Sequence, residues 1–131
     1  MDPVRRLLAL RVVLAVAGLA CLSLGPLMAF WPSGWAWHHG HSDYPAMLIG
    51  LYATLGGFLL CAIREPMAHR SVIWFAVWSS VVHGLVMTVQ ALNQPEQRGH
   101  LVGDVPALCI VAIALGVLAP RRRDAPPGTP G

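Results

Sequence analysis

Four long apolar stretches make up most of the chain, and they predict four membrane-spanning helices. The stretches cover about 12–31, 45–63, 71–92 and 101–119. Each is close to the ~20 residues that an α-helix needs to cross a hydrocarbon core about 30 Å thick. The connections are short, so consecutive helices should lie side by side with opposite directions. The pattern predicts an all-α integral membrane bundle with up-down-up-down topology.

The basic residues lie at one set of helix ends, which predicts the orientation of the bundle. The sequence has nine arginines and no lysine, and only Arg98 falls at the opposite ends. The other arginines border the same side of the four stretches: Arg5, Arg6, Arg11, Arg64, Arg70, Arg121, Arg122 and Arg123. Because cytoplasmic loops carry the excess of arginine, both termini should be cytoplasmic, in a bacterial inner membrane.

The composition agrees with one membrane domain and excludes a soluble one. The 131 residues are 56% hydrophobic and 11% charged, whereas soluble domains carry about 25% charged residues. We predict a single transmembrane domain over 1–119 and a disordered cytoplasmic tail over 120–131, which is rich in proline. The net charge of +3 lies beside apolar stretches, so the bilayer and its anionic headgroups, and not nucleic acid, are the expected partners.

Two features near the N-terminus and in the spans have simple interpretations. Arg5 and Arg6 before an apolar run resemble a signal peptide, but the run continues about ten residues past Cys21, longer than a signal segment. We therefore expect a retained helix. Cys21, Cys61 and Cys109 form no CxxC pair, and we interpret them as small buried hydrophobic residues.

Local signals suggest helix boundaries and packing contacts. Ser71 is a candidate cap for the third helix, and Pro26 is expected to kink the first. Five glycines would allow close helix approach, although none of them forms a GxxxG pair: Gly18, Gly25, Gly50, Gly56 and Gly57.

The third stretch has two distinct faces at 100° per residue. Bulky side chains fall on the face expected to meet lipid: Trp74, Trp78, Val81, Leu85 and Leu92. Small and polar side chains fall on the opposite face, which should point into the bundle: Ala76, Ser79, His83, Met87 and Gln90. The helix is therefore expected to bury a histidine near the middle of the membrane.

His83 is the first candidate for chemistry, because an ionisable group inside a membrane is costly and is often functional. It could ligate haem or a metal, relay protons, or contact a quinone-like ligand. The interpretation we favour is a neutral histidine bonded to Ser79, Gln90 or a hydroxyl across the bundle. A bis-histidine haem is not expected, because His100 lies about 14 Å away along the membrane normal. We expect no cofactor.

His100 and Asp104 are four residues apart and would share one face of a continuous helix. They are candidates for a ligand or proton site together with His83 and Gln90. The competing interpretation, which we favour, is that Asp104 caps a final helix of about 15 residues with Pro106 in its first turn.

The outer loop concentrates His38, His39, His41 and Asp43, which are residue types that ligate Zn²⁺, Ni²⁺ or Cu²⁺. This loop is a candidate metal site. The alternative, which we favour, is a polar and aromatic loop at the membrane surface. The sequence has no nucleophile–base pair of recognisable spacing, no phosphate loop and no HExxH motif, so we do not expect an enzyme.

The chain resembles a family of uncharacterised small four-span bacterial membrane proteins. The resemblance covers about 45–119 and rests on three segments: Gly50–Leu60 with Arg64-Glu65-Pro66 and His69-Arg70-Ser71, Ile73–Gly84, and Gly99–Ala107. More distantly, the layout is similar to DoxX-like four-helix proteins, some of which accompany membrane oxidoreductases. The resemblance implies the fold and the topology, and it implies no activity or catalytic residue.

Together these features predict an accessory or packing subunit of a membrane complex. The partners would be the bilayer and other membrane subunits, or further copies of the chain. One alternative is a DoxX-like redox accessory protein that binds a ligand or cofactor at the His83 face. Another is a small proton- or metal-coupled transporter with an outward-facing His/Asp site.

Overall fold

The computed structural model describes residues 2–30 and 44–120, and this part of the chain is all-α, without a strand. It contains four α-helices and one short 3₁₀ helix. The α-helices are α1 (Pro3–Phe30), α2 (Tyr44–Ala62), α3 (Arg70–Asn93) and α4 (Asp104–Leu118), and the 3₁₀ helix (Pro95–Leu101) lies between α3 and α4. The predicted all-α class is confirmed.

The helix boundaries follow the apolar stretches closely except at α1. That helix begins at Pro3 rather than near Val12 and continues through Pro26. Arginine is a good helix former, so the basic segment extends the helix beyond its apolar part. Pro3 is tolerated at the start of α1 because the N–H groups of the first turn have no helical partner.

The predicted cap at Ser71 is wrong. The cap residue of α3 is His69, and its side chain makes no capping hydrogen bond. The backbone N–H of His69 donates to the Glu65 carbonyl, and the His69 carbonyl accepts from Ile73 N–H. Because this turn already starts the helix, Ser71 lies inside the first turn of α3.

Three segments are long and apolar enough to cross a membrane by length and composition: Pro3–Phe30, Arg70–Asn93 and Pro95–Leu118. The segment Ala46–Ala62 is a shorter apolar helix. The described part of the chain therefore has the composition of a membrane protein.

The helices pack as two pairs. The most extensive contacts join α1 to α2, which we call the first pair, and α3 to α4, which we call the second pair. The contacts between the pairs, α2 with α3 and α1 with α4, are much less extensive. The contact between the pairs is therefore the weaker part of the packing.

Direct backbone contact holds the first pair together. A Cβ atom on Gly56 would lie 2.7 Å from the carbonyl oxygen of Gly18, and one on Gly18 would lie 2.9 Å from the Leu60 side chain. Both distances are shorter than real contacts of this kind, so neither position accepts a larger residue without movement. Small residues allow this close approach in membranes, where packing replaces the hydrophobic effect as the driving force.

The apolar core takes residues from all four helices. Its largest fully buried side chains are Leu14, Leu59, Ile73 and Leu115. They belong to the first half of α1, the last turn of α2, the first turn of α3 and the last turn of α4. The core therefore fills the half of the bundle that contains these four helix ends.

Hydrogen bonds from two arginines connect the helix ends around the core. A guanidinium nitrogen of Arg6 donates to the Ala119 carbonyl at 2.8 Å, and one of Arg11 donates to the Arg64 carbonyl at 3.5 Å. These bonds join the start of α1 to the end of α4 and to the turn after α2.

The two predicted faces of α3 are largely confirmed. Trp78, Leu85 and Leu92 are exposed on the outer face of the bundle, whereas Ala76 is buried. Trp74 is half-buried because it packs against the core. Gln90, predicted to point inward, is exposed near the end of α3.

The two neighbouring glycines of α2 offer a matched test of the close contact. We expect Gly56→Ala to lower the free energy of unfolding by about 1–3 kcal/mol, because the new methyl group overpacks the contact with Gly18. Gly57→Ala should be neutral or slightly stabilising, because nothing lies within 4 Å of a Cβ there and alanine favours the helix. Thermal unfolding in detergent measures both, and equal melting temperatures for the two variants would contradict the contact.

Candidate functional site

Titratable side chains from the four described α-helices form a set that extends from the half-buried middle of the bundle to its surface. Tyr52 of α2 is hydrogen-bonded to His83 of α3, and their ring centroids are 5.9 Å apart. Cys21 of α1 lies within electrostatic range of Tyr52, and Asp104 of α4 within range of His83. With His100, which contacts Asp104, we call this set the polar layer.

The bond between Tyr52 and His83 connects the two helix pairs. It joins the Tyr52 hydroxyl to Nδ1 of His83, and both groups are partly buried. In one tautomer the phenol donates to Nδ1 and Nε2 keeps the ring proton; in the other, Nδ1–H donates to the phenol oxygen. Of the three kinds of partner predicted for His83, which were Ser79, Gln90 and a hydroxyl across the bundle, the structure shows the third.

His100 and Asp104 form an ion-pair contact through Nδ1 and a carboxylate oxygen. The side chains are 30% and 49% exposed, so this pair lies at the accessible side of the polar layer. The 3₁₀ helix ends at Leu101 and α4 begins at Asp104, which keeps the two residues about one turn apart.

The favoured interpretation of Asp104 as a helix cap is wrong. The helix itself begins at the predicted position and has 15 residues. Gly103 is the cap residue, and no side-chain capping bond is present. The carboxylate bonds to His100 instead. Asp104 still lies in the first turn, where a negative charge is favoured by the helix dipole.

The remaining candidate residues lie apart from this arrangement. Gln90 is exposed, and its backbone carbonyl accepts a hydrogen bond of 2.8 Å from Gln94 N–H. The predicted metal ligands His38, His39, His41 and Asp43 lie outside the described residues. Over residues 2–30 and 44–120, no group of three or more His, Cys, Asp or Glu side chains has an arrangement suited to a metal ion.

Sequence reasoning missed Tyr52 and Cys21. The chain has two tyrosines, and Tyr52 is the one inside an apolar stretch rather than at its edge. A buried tyrosine hydroxyl needs a hydrogen-bond partner, and the need is greater where no water is present. Pairing the lone intramembrane tyrosine with the lone intramembrane histidine would have predicted the contact.

A double-mutant cycle tests whether the Tyr52–His83 bond stabilises the bundle. We expect Tyr52→Phe and His83→Leu to be coupled by about 0.6 kcal/mol, and by no more than about 1.7 kcal/mol, as for other hydrogen bonds between membrane helices. The measurement is the unfolding free energy in mixed micelles. As a control, Tyr52→Phe should show no coupling with His100→Leu; zero coupling in the His83 cycle would contradict the bond.

Comparison with known proteins identifies a family and no closer relative. A search of curated proteins found no match, and a search of solved structures found none. A family model matches residues 4–127, which is nearly the whole chain. The matched region includes every member of the polar layer, so the layer lies in the part that defines the family. The chain belongs to DUF6632, a family of unknown function.

Proposed function

We propose that this protein crosses the membrane four times, with up-down-up-down topology and both termini in the cytoplasm. Three segments have the length and composition of a span, and α2, with 19 residues, has a helical length of about 28 Å. The bonds of Arg6 and Arg11 bring the first turns of α1, the end of α4 and the turn after α2 to one end. The positive-inside rule assigns that end to the cytoplasm of an inner membrane.

We further propose that the protein is a proton-responsive accessory subunit, in which protonation of His83 alters the contact between the two helix pairs. The observation that carries this proposal is the Tyr52–His83 hydrogen bond. It lies between α2 and α3, which have few packing contacts. A change in this bond therefore acts where packing resists movement least.

The chemistry of imidazole supports a switch at this position. A neutral His83 accepts the phenolic proton at Nδ1 in one of its two tautomers, but a protonated imidazole has no acceptor. The Tyr52 hydroxyl must then reverse its role and accept. Histidine is the side chain whose unperturbed pKa, near 6.5, allows this change between pH 5 and 8.

Within the described residues, the helices that pack around His83 each contribute a titratable group. Cys21 on α1 lies near Tyr52, Asp104 on α4 lies near His83, and His100 bonds to Asp104. The His100–Asp104 pair is the most exposed part of the polar layer, with side chains 30% and 49% exposed. This sequence of groups supports access from the end opposite the arginines.

A path for protons through the whole bundle has less support. Beyond the polar layer, the fully buried Leu14, Leu59, Ile73 and Leu115 fill the interior at the arginine end. Side chains without polar atoms hold no proton and bind no water. A site with access from one side therefore fits the contacts better than a transporter does.

The accessory role rests on the broad apolar surface of the helices. Exposed side chains such as Val16, Trp78 and Ile113 can meet lipid or the helices of another subunit equally well. Recovery of only a lone, monodisperse chain from native membranes would contradict this part of the proposal.

Reporter fusions test the topology. A periplasmic reporter joined after Ser42 should be active, and the same reporter joined after Met67 should be inactive, because the arginine-rich turn remains inside. A cytoplasmic reporter provides the matched control and should give the opposite pattern. Cytoplasmic activity after Ser42 would contradict the orientation.

Distance measurements between spin labels test the proton response. With Cys21, Cys61 and Cys109 replaced by alanine, labels at Met47→Cys and Leu92→Cys report the separation of α2 and α3, since both positions are exposed. We expect the distance distribution to differ between pH 5 and pH 8, because the Tyr52–His83 bond changes with the charge of the imidazole.

Two variants separate this response from other titrations. His83→Gln should make the distribution independent of pH, whereas His69→Gln, at the arginine end, should leave the response unchanged. Two results would overturn the proposal. One is a distance distribution that does not vary with pH when His83 is present, and the other is a distribution that still varies with pH in the His83→Gln variant.

A further inference from the structure

An apolar groove runs along the outer surface between α2 and α3. It has a volume of about 330 Å³. Its walls come from Leu51, Leu55 and Phe58 on α2 and from Val72 and Phe75 on α3, with Ser71 at one end. The groove lies where the two helix pairs meet with few contacts, so incomplete packing of the bundle leaves it open.

The groove faces the region that lipid chains occupy. Phe58 is 53% exposed and Phe75 is 59% exposed, and almost all of the surface that lines the groove is apolar. The aromatic rings and branched aliphatic groups that line the groove make few favourable contacts with water, but they pack well against a hydrocarbon chain. A hydrocarbon chain is therefore the occupant that the lining favours.

The end of the groove at the arginine side is basic. The turn 63–69 joins α2 to α3, so it must close the groove at that end. Arg64 lies in this turn and Arg70 begins α3, against a single carboxylate, Glu65. Arg64, Glu65 and His69 also line a depression of about 530 Å³ at the turn, which provides room for a polar headgroup.

Arg70 has an unused donor at this position. Its Nε atom is buried and has no hydrogen-bond partner among the residues that the structure describes. Buried donors of native proteins are generally satisfied, and arginine is well suited to phosphate because its donors form a planar fork. The basic turn thus complements a phosphate group in charge, and Arg70 has a donor available for it.

We propose that the groove binds one acyl chain of an anionic phospholipid, with the lipid phosphate held at Arg64 and Arg70. The chain packs between Phe58 and Phe75, and the headgroup lies at the turn. The lipid fills the space that the weakly packed α2–α3 interface leaves open and so stabilises the contact between the helix pairs.

Native mass spectrometry of the full-length protein in detergent tests this site. The probes are phosphatidylglycerol and phosphatidylcholine with identical acyl chains, added at equal concentrations to delipidated protein. We expect each protein molecule to retain one phosphatidylglycerol molecule in preference to phosphatidylcholine. Equal retention of the two lipids would overturn the proposed headgroup contact.

Charge variants locate the headgroup. Arg64→Gln and Arg70→Gln should each weaken phosphatidylglycerol retention about fivefold, as expected for one basic residue beside anionic lipid, and should leave phosphatidylcholine retention unchanged. Arg70→Lys should retain only part of the preference, because lysine keeps the charge but lacks the planar fork of donors. Arg98→Gln, at the opposite end, is the matched control, and an equal loss in this variant would contradict a localised site.

A groove-filling variant locates the acyl chain. Thr54 also lines the groove, and Thr54→Phe should reduce retention of both lipids. Ile110→Phe adds a ring at an exposed position of α4, away from the groove, and should have no effect. Equal effects of Thr54→Phe and Ile110→Phe would overturn the groove as the binding site, and gel filtration identifies any variant that has lost its fold.

Discussion

The close contact between Gly18 and Gly56 is the constraint on which the rest of the bundle depends. In a membrane, lipid is as apolar as the helix surfaces, so helices associate through close packing and polar contacts rather than by hiding from solvent. The carbonyl of Gly18 lies so near the Gly56 backbone that a methyl group would not fit. This approach aligns α1 with α2, and it places Cys21 beside Gly56, about one helical turn from Tyr52. The polar layer is built on that alignment.

The contacts between helices are unevenly distributed. Packing is extensive within each helix pair and sparse between the pairs. Hydrogen bonds connect the two pairs where packing is sparse. Tyr52 bonds to His83 across one interface, and Arg6 bonds to the end of α4 across the other. Polar bonds are directional, so they orient the helix pairs relative to each other where packing is sparse. The apolar groove opens at the same α2–α3 interface.

The two ends of the bundle have different characters. At the arginine end, fully buried aliphatic side chains from the four described α-helices fill the interior, with arginines at the helix ends around them. Tyr52 and His83 are half-buried near the middle of their helices, and Asp104 and Gln90 are exposed towards the other end. An ionisable group inside a membrane is stable only with a partner or with access to water. The sequence predicted this asymmetry from the distribution of arginine and histidine along the chain, and the contacts of the described residues agree with it.

The sequence by itself determined the approximate limits of the four α-helices in the described part of the chain and the outer face of α3, because apolar length and helical periodicity are local properties. It also predicted that His83 would bond to Ser79, Gln90 or a hydroxyl across the bundle, but it could not choose Tyr52, since the rotation of α2 about its axis depends on packing. The role of Asp104 shows the limit most clearly. Its local pattern favoured a cap, and only the position of His100 at the end of the 3₁₀ helix decided that the carboxylate pairs with an imidazole. Contacts between helices fix such choices, because each side chain bonds to the partner that the folded backbone brings within reach.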